Sequence, residues 1–247
     1  MLNLIIDIGN TLTKIAIFEK GEIIVSFTTD SLTEHDVAAL KTDHPTINSA
    51  IISSVRQSST PIINSLKNEF EFVIELDHNT PLPIINCYKT PETLGKDRIA
   101  AAVGANFLYP QQNLLIIDAG TAITYDFVDS KNQYIGGFIT PGLNMRFKAL
   151  HYFTEKLPLL HTSLPDHLIG DNTSNSIIGG VQYGLEGETE RIIKYHSDLA
   201  TDLLIILAGG DKNYFEKLLK NYKFVALEII LLGLNTILEF NKIQNNG

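Results

Sequence analysis

A single cysteine, Cys87, stands in 247 residues, so no internal disulfide can form and a reducing, cytoplasmic setting is expected. As a lone thiol, Cys87 itself is expected to be a small buried hydrophobe. Positive charge is also scarce. Nineteen Lys and Arg against 28 Asp and Glu give a formal net charge of −9, which argues against general binding to nucleic acid or to a membrane surface. Any anionic ligand must therefore be met by a local device. No apolar run is long enough to cross a membrane: the longest, Val225 to Phe240, contains Glu228 and Glu239 and falls short of the roughly 20 residues a span needs. A strand followed by a core helix is the better reading there. The chain opens Met1-Leu2-Asn3-Leu4-Ile5-Ile6-Asp7, with no basic segment ahead of the first acid, so no targeting segment is expected. Several chemistries lack their signatures as well. There is no Gly-x-x-x-x-Gly-Lys-[Ser/Thr], no Gly-x-Gly, no His-Glu-x-x-His, no paired-cysteine metal site and no Gly-x-Ser-x-Gly. The seven histidines are scattered and read as structural or exposed.

What is present is a chain 44% apolar, enough for one large domain or two ordinary lobes. Three short apolar runs, 4–7, 14–18 and 22–28, are joined by Gly9-Asn10-Thr11 and Lys20-Gly21, and predict a meander of three strands. Ser31 and Glu34 have the spacing of a capping box for the next helix. A strand is expected at 50–55, then a helix from Thr60-Pro61 to Asn68, with Thr60 as cap. A strand at 70–76, a loop over 78–91 and a helix at 97–107 complete the first cycle. A second cycle has strands at 114–118, 123–128, 134–139 and 203–208. Its helices are expected at 144–157, 174–195, 212–221 and 231–242, with 244–247 frayed.

The two cycles align without a gap. Shifted by 111 residues, Leu4, Ile5, Ile6, Asp7, Gly9 and Thr13 fall on Leu115, Ile116, Ile117, Asp118, Gly120 and Thr124. A lone Asp-x-Gly after a strand means little. Repeated at the head of two similar cycles, it predicts a duplicated chain with lobes at 1–113 and 114–247. The repeated Asp-x-Gly-[Asn/Thr] hairpin resembles the α/β, ribonuclease H-like fold of the actin-like ATPases. In that fold two βββαβα lobes with mixed sheets hold ATP in the cleft between them.

These residues suit phosphate. A tight turn after a strand exposes backbone N–H groups, and glycine lets that backbone approach an anion closely. Asn10, Thr11, Thr121 and Thr124 add neutral donors, and Lys14 adds a point charge. Asp7 and Asp118, at strand ends, suit hard cations. Phosphoryl transfer needs mainly positioning and charge neutralisation. Taken singly, each residue is equally well a turn former or a solvated strand residue.

A second segment, Tyr88-Lys-Thr-Pro-Glu-Thr-Leu-Gly-Lys-Asp-Arg98, runs from a polar loop into a helix. Asp97 can accept a proton from a hydroxyl, and Arg98 can clamp a carboxylate. Equally, Asp97 can be a first-turn acid favoured by the helix dipole and Arg98 a surface residue. Four motifs in order resemble those of type III pantothenate kinases. They are Asp7-Ile8-Gly9-Asn10-Thr11 with Lys14, Gly95-Lys96-Asp97-Arg98, Asp118-Ala119-Gly120-Thr121-Ala122-Ile123-Thr124, and Gly136-Gly137-Phe138-Ile139-Thr140-Pro141-Gly142.

That resemblance covers essentially the whole chain and implies ATP-dependent phosphorylation of pantothenate. It makes Asp7, Ile8, Gly9, Asn10, Thr11, Leu12, Thr13 and Lys14 the ATP phosphate loop, with Thr121 a further ATP contact. It makes Asp97 the catalytic base, and Tyr88, Gly95, Lys96, Asp97, Arg98 and Thr173 the pantothenate contacts. Asp118 would hold a monovalent cation, potassium or ammonium, and magnesium would accompany ATP. A homodimer with the pantothenate site at its interface is implied too. Lys96 departs from the small residue, commonly alanine, that the family carries there; it either adds charge near the phosphates or points to solvent. Thr173, in Asp171-Asn172-Thr173, is equally a helix cap. Three other readings remain: a kinase of the same superfamily with another acceptor, a non-catalytic accessory factor in gene regulation, and a structural actin-like protein.

Overall fold

The computed structural model of the protein describes residues 2–56, 59–163, 169–220, 222, 224–226 and 228–245. They form two compact units. The first comprises 1–111, 128–135 and 228–247, and the second 112–127 and 136–227. The sequence boundary at 113/114 falls beside the 111/112 division, while the contacts group the C-terminal helix with the first unit.

The first unit is built on strands β1 (Leu2–Ile8), β2 (Thr13–Glu19), β3 (Glu22–Thr29), β4 (Ile47–Ser54) and β5 (Phe72–Glu75), in the order β3-β2-β1-β4-β5. β1 is central and buried along its whole length, whereas the edge strand β3 is mostly exposed. β1 runs antiparallel to β2, with Asp7 opposite Lys14, and parallel to β4, with Asp7 opposite Ser53. β2 pairs antiparallel with β3, and β4 parallel with β5. A short strand β6 (Ile85–Asn86) lies inside the expected 78–91 loop and pairs with Gln133 and Tyr134.

Helices α1 (Glu34–Asp43), α2 (Thr60–Glu69) and α3 (Lys96–Leu108) follow the expected order. Two of the expected caps move. The capping box joins Thr33 and Asp36, not Ser31 and Glu34, because the helix begins two residues later. Ser59, not Thr60, is the N-cap residue of α2. Cys87 is exposed rather than buried, since it follows the short β6 edge and has no core to enter.

The second unit repeats this plan. The strands of its sheet are β7 (Leu114–Ala119), β8 (Ala122–Val128), β9 (Gln133–Pro141, whose first three residues group with the first unit), β10 (Leu204–Ala208) and β11 (Phe224–Ala226), in the order β11-β10-β7-β8-β9, with β6 added outside β9. Counted from the first strand of each cycle, both sheets read 3-2-1-4-5, with the first and fourth strands parallel in each. Helices α4 (Leu143–Tyr152), α5 (Thr173–Leu199) and α6 (Lys212–Leu218) complete it. α4 stops five residues before the expected Leu157, and α6 stops before Asn221, which lies outside the described residues. The core gathers Ile117, Tyr125, Phe147, Leu185 and Phe215.

The last helix, α7 (Ile229–Asn245), packs against α3 inside the first unit. Their backbones touch. A Cβ on Gly233 would lie 1.8 Å from the Ala100 carbonyl oxygen, and one on Gly104 would lie 2.3 Å from that of Ile229. Real Cβ atoms do not come so close to a carbonyl, so only glycine permits this crossing. Farther along α7, Asn235 and Glu239 accept hydrogen bonds from the Asn3 side chain at 2.8 and 2.6 Å. α7 is thus tied both to α3 and to the start of β1.

Candidate functional site

Within the first unit the structure brings together Asp7, the turn after β1, Lys14 and the head of α3. Asp7 is 7% exposed at the end of β1. Burial raises its carboxyl from an ordinary value near 3.8 to about 6, and the nearby Asp97 charge adds to the shift; Ser53 and Lys14 offset it in part. Ser53 is buried directly opposite Asp7 on β4, and its hydroxyl favours the ionised carboxyl. Burial and the Asp97 charge together make ionising Asp7 costly. A cation or a donor-rich ligand that relieved that cost would be favoured.

Residues 9–12 form the turn between β1 and β2. The Gly9 N–H donates to the Leu12 carbonyl at 3.1 Å, and Asn10, Thr11 and Leu12 are exposed. Thr13 is buried, and Lys14 is partly exposed, with its Nζ 3.2 Å from Glu228 Oε2. The turn is held from outside by Arg56, which follows β4. Its Nε donates to the Gly9 carbonyl at 2.9 Å and its Nη2 to the Asn10 carbonyl at 3.2 Å.

Asp97 lies in the first turn of α3, where its Oδ1 accepts the Arg98 N–H at 2.9 Å. A Cβ on Gly95 would come within 2.6 Å of Asp97 Oδ1, so a side chain there would displace that carboxylate. Arg98 is only 5% exposed, which removes the reading of it as a surface residue. Its guanidinium lies 5.7 Å from the centre of the Tyr88 ring, in cation–π range, and Tyr88 packs in turn on the buried Tyr134. A buried arginine over an aromatic face suits a planar anion such as a carboxylate. Half-buried Lys96 lines a small crevice with Asp77, His78 and Glu92.

The second unit contains Asp118, Thr121 and Thr173. Asp118 is the fifth residue of β7, the place Asp7 takes near the end of β1. The two turns differ, however. Gly120 donates to Ala122, two residues on, whereas Gly9 donates to Leu12, three residues on. Thr124 therefore sits third in β8, while its repeat partner Thr13 opens β2. The Thr121 carbonyl accepts the Gly142 N–H at 3.1 Å, tying the second turn to the head of α4. Thr173 is the first residue of α5, and the cap is Asn172, whose side chain accepts from Asn175 N–H. Thr173 lines an apolar groove of about 960 Å³ between α4 and α5, with Met145, Phe153 and Ile177 on its walls.

A family model described as type III pantothenate kinase matches residues 3–195. The chain belongs to the type III pantothenate kinase family. A family member from Phocaeicola vulgatus is 43% identical over 240 residues, spanning 97% of this chain and 99% of that protein. Among solved structures, a Campylobacter jejuni protein described as a Baf family transcriptional activator superposes with a TM-score of 0.61. It is 21% identical and covers 97% of this chain and 99% of its own. A glucokinase from an Antarctic psychrotroph gives 0.55 at 12% identity, with 97% and 99% covered. With the duplicated sheet order, these superpositions make the fold that of the two-lobed actin-like ATPases.

Sequence reading of this family member missed two residues. Arg56 carries no motif, because it acts on backbone carbonyls that any residue would supply. Glu228 is 214 positions from Lys14, and nothing short of the fold pairs them.

Proposed function

We infer that the protein transfers the γ-phosphoryl group of ATP to the hydroxyl of pantothenate, giving 4'-phosphopantothenate and ADP on the way to coenzyme A. Membership of the kinase family over the length of the chain carries the reaction class. The observation in this chain that supports it best is the pair of neighbouring carboxyl groups, Asp7 and Asp97, with Asp97 fitted against the missing Cβ of Gly95.

In this reading the N–H groups of residues 8–13 and the Lys14 ammonium receive the ATP phosphates, and Thr121 is a further ATP contact. Arg98 and Tyr88 take the pantothenate carboxylate, with Gly95, Lys96 and Thr173 as further contacts. The Asp97 carboxylate accepts the hydroxyl proton as that oxygen bonds to the γ-phosphorus. The bond from phosphorus to the bridging oxygen breaks, and ADP leaves with the electron pair. Magnesium suits the donor set. Among the described residues no group of three or more His, Cys, Asp or Glu side chains converges, and magnesium commonly uses one or two carboxylates with substrate phosphates and water. Asp7 would be its protein anchor, and the ion would neutralise phosphate charge. Asp118 would hold potassium or ammonium. The apolar α4–α5 groove, with Tyr152 and Phe153 each 81% exposed beside it, supports a homodimer with the pantothenate site at the interface and Thr173 contributing to it. A cytoplasmic setting fits the single cysteine, and among the described residues no helix is long and apolar enough to cross a membrane.

The test is ADP release from MgATP with and without pantothenate, in potassium and then in sodium buffer. Release that requires pantothenate and potassium is expected. Pantothenate-independent behaviour from folded protein would move the reading to another acceptor or to a non-catalytic relative.

A further inference from the structure

We propose that Glu228 is a positioning residue for ATP binding, holding the Lys14 ammonium where it can meet the phosphates; this rests on the kinase reading above. Lys14 and Asp7 are directly opposed across the β1–β2 ladder, so the two side chains emerge on the same face of the sheet. Left to itself, a flexible lysine beside a buried carboxylate would collapse onto it. Each group would then be occupied by the other before any ligand arrived. Lys14 instead reaches Glu228, at 3.2 Å.

Glu228 is well placed to act as a fixed anchor. It immediately precedes α7, where an acid is favoured by the helix dipole whether or not lysine is present. α7 is itself held in place by the Gly104–Gly233 backbone contact and by the Asn3 hydrogen bonds to Asn235 and Glu239. An ammonium has three donors. Lys14 can keep Glu228 on one and still present others to a phosphate, so the carboxylate orients it without consuming it. As an energy the pair is small: its side chains are 32% and 51% exposed, and such pairs contribute little to stability. Its effect is expected in binding, through the order imposed on a long side chain.

The experiment is a double-mutant cycle on MgATP affinity, measured by calorimetry on the full chain without pantothenate, for wild type, Glu228→Gln, Lys14→Met and the double variant. Wild-type binding is recorded first, because its absence would refute the kinase reading itself rather than the role of Glu228. Glu228→Gln is expected to weaken binding about 3- to 10-fold in the presence of Lys14 and to have no effect in the Lys14→Met background. Glu228→Asp should restore part of the loss. Tighter binding by Glu228→Gln would make the carboxylate a competitor of phosphate and overturn the proposal. An equal loss in the Lys14→Met background would overturn it as well, since Glu228 would then act through the helix and not through lysine.

Discussion

Replacing Asp7 by asparagine should make the ligand-free protein more stable. The carboxyl is raised to about 6 by burial and by the Asp97 charge, so the folded state prefers it protonated. The unfolded chain ionises it near 3.8. Across that interval the folded state holds the proton that the unfolded chain has released. Stability therefore falls as pH rises through the window and levels off above the folded value. The cost is about 3 kcal/mol at pH 7.5, above both values, and about 1 kcal/mol at pH 4.5, between them. Asparagine has nearly the same shape and carries no charge to desolvate.

Asp7→Asn should thus gain about 1 to 3 kcal/mol at pH 7.5, raising the melting temperature by roughly 3 to 10 °C for a chain of this size. At pH 4.5 the gain should shrink by about two-thirds. The assay is thermal unfolding of both proteins, without nucleotide and with a chelator, at the two pH values. MgATP should then stabilise wild type and fail to stabilise the variant, reversing their order. A variant less stable than wild type at pH 7.5, or a gain that does not shrink in acid, would show that the Asp7 carboxylate is not strained in the empty site.

Gly95→Ala should push the Asp97 carboxylate from its place, lowering kcat by about 100-fold or more, as Asp97→Asn should, while leaving MgATP affinity within about twofold; steady-state kinetics and calorimetry separate the two. Arg56→Ala should free the Gly9 and Asn10 carbonyls and loosen the phosphate turn, raising the KM for ATP by roughly 5- to 20-fold, since two charge-assisted hydrogen bonds are lost, with little change in the KM for pantothenate. Gly233→Ala should destabilise the protein by about 3 kcal/mol or more through backbone overpacking, read as a lower urea midpoint. Gly187→Ala on α5, where a Cβ meets nothing, is the control and should hold or raise that midpoint.

Much of the fold was legible because a strand buried on both faces has little freedom of composition. Leu4 to Ile6 and Leu115 to Ile117 read as buried strands, and the acid and glycine after each mark where a strand leaves the core. The ungapped alignment nevertheless concealed a difference: the second turn closes a residue earlier, and two threonines that align in sequence sit at different heights in their strands. The first helix began two residues later than expected, because Thr33 with Asp36 offers the same reciprocal hydrogen bonds as Ser31 with Glu34. Short polar segments often contain more than one such solution, and only packing chooses between them. The reading of Arg98 as a surface residue failed because Tyr88, ten residues earlier, returns to cover it.

What the sequence could not express is the part played by α7. Its residues resemble any amphipathic core helix, yet Gly233 sets how closely α3 approaches, Asn235 and Glu239 hold the start of β1, and Glu228 receives Lys14. Those contacts reach the elements that carry Asp97, Asp7 and the phosphate turn. A motif is a pattern within one stretch of chain, so it records groups that meet a ligand and misses those that set the spacing between motifs. The two carboxyl groups at the site make that spacing consequential. Moved apart, Asp97 would no longer add to the cost of ionising Asp7, and the readiness of Asp7 to accept a cation would fall. A helix that fixes α3 against β1 therefore governs the chemistry without touching a substrate, and variants along its α3-facing side should alter turnover in step with the separation they impose.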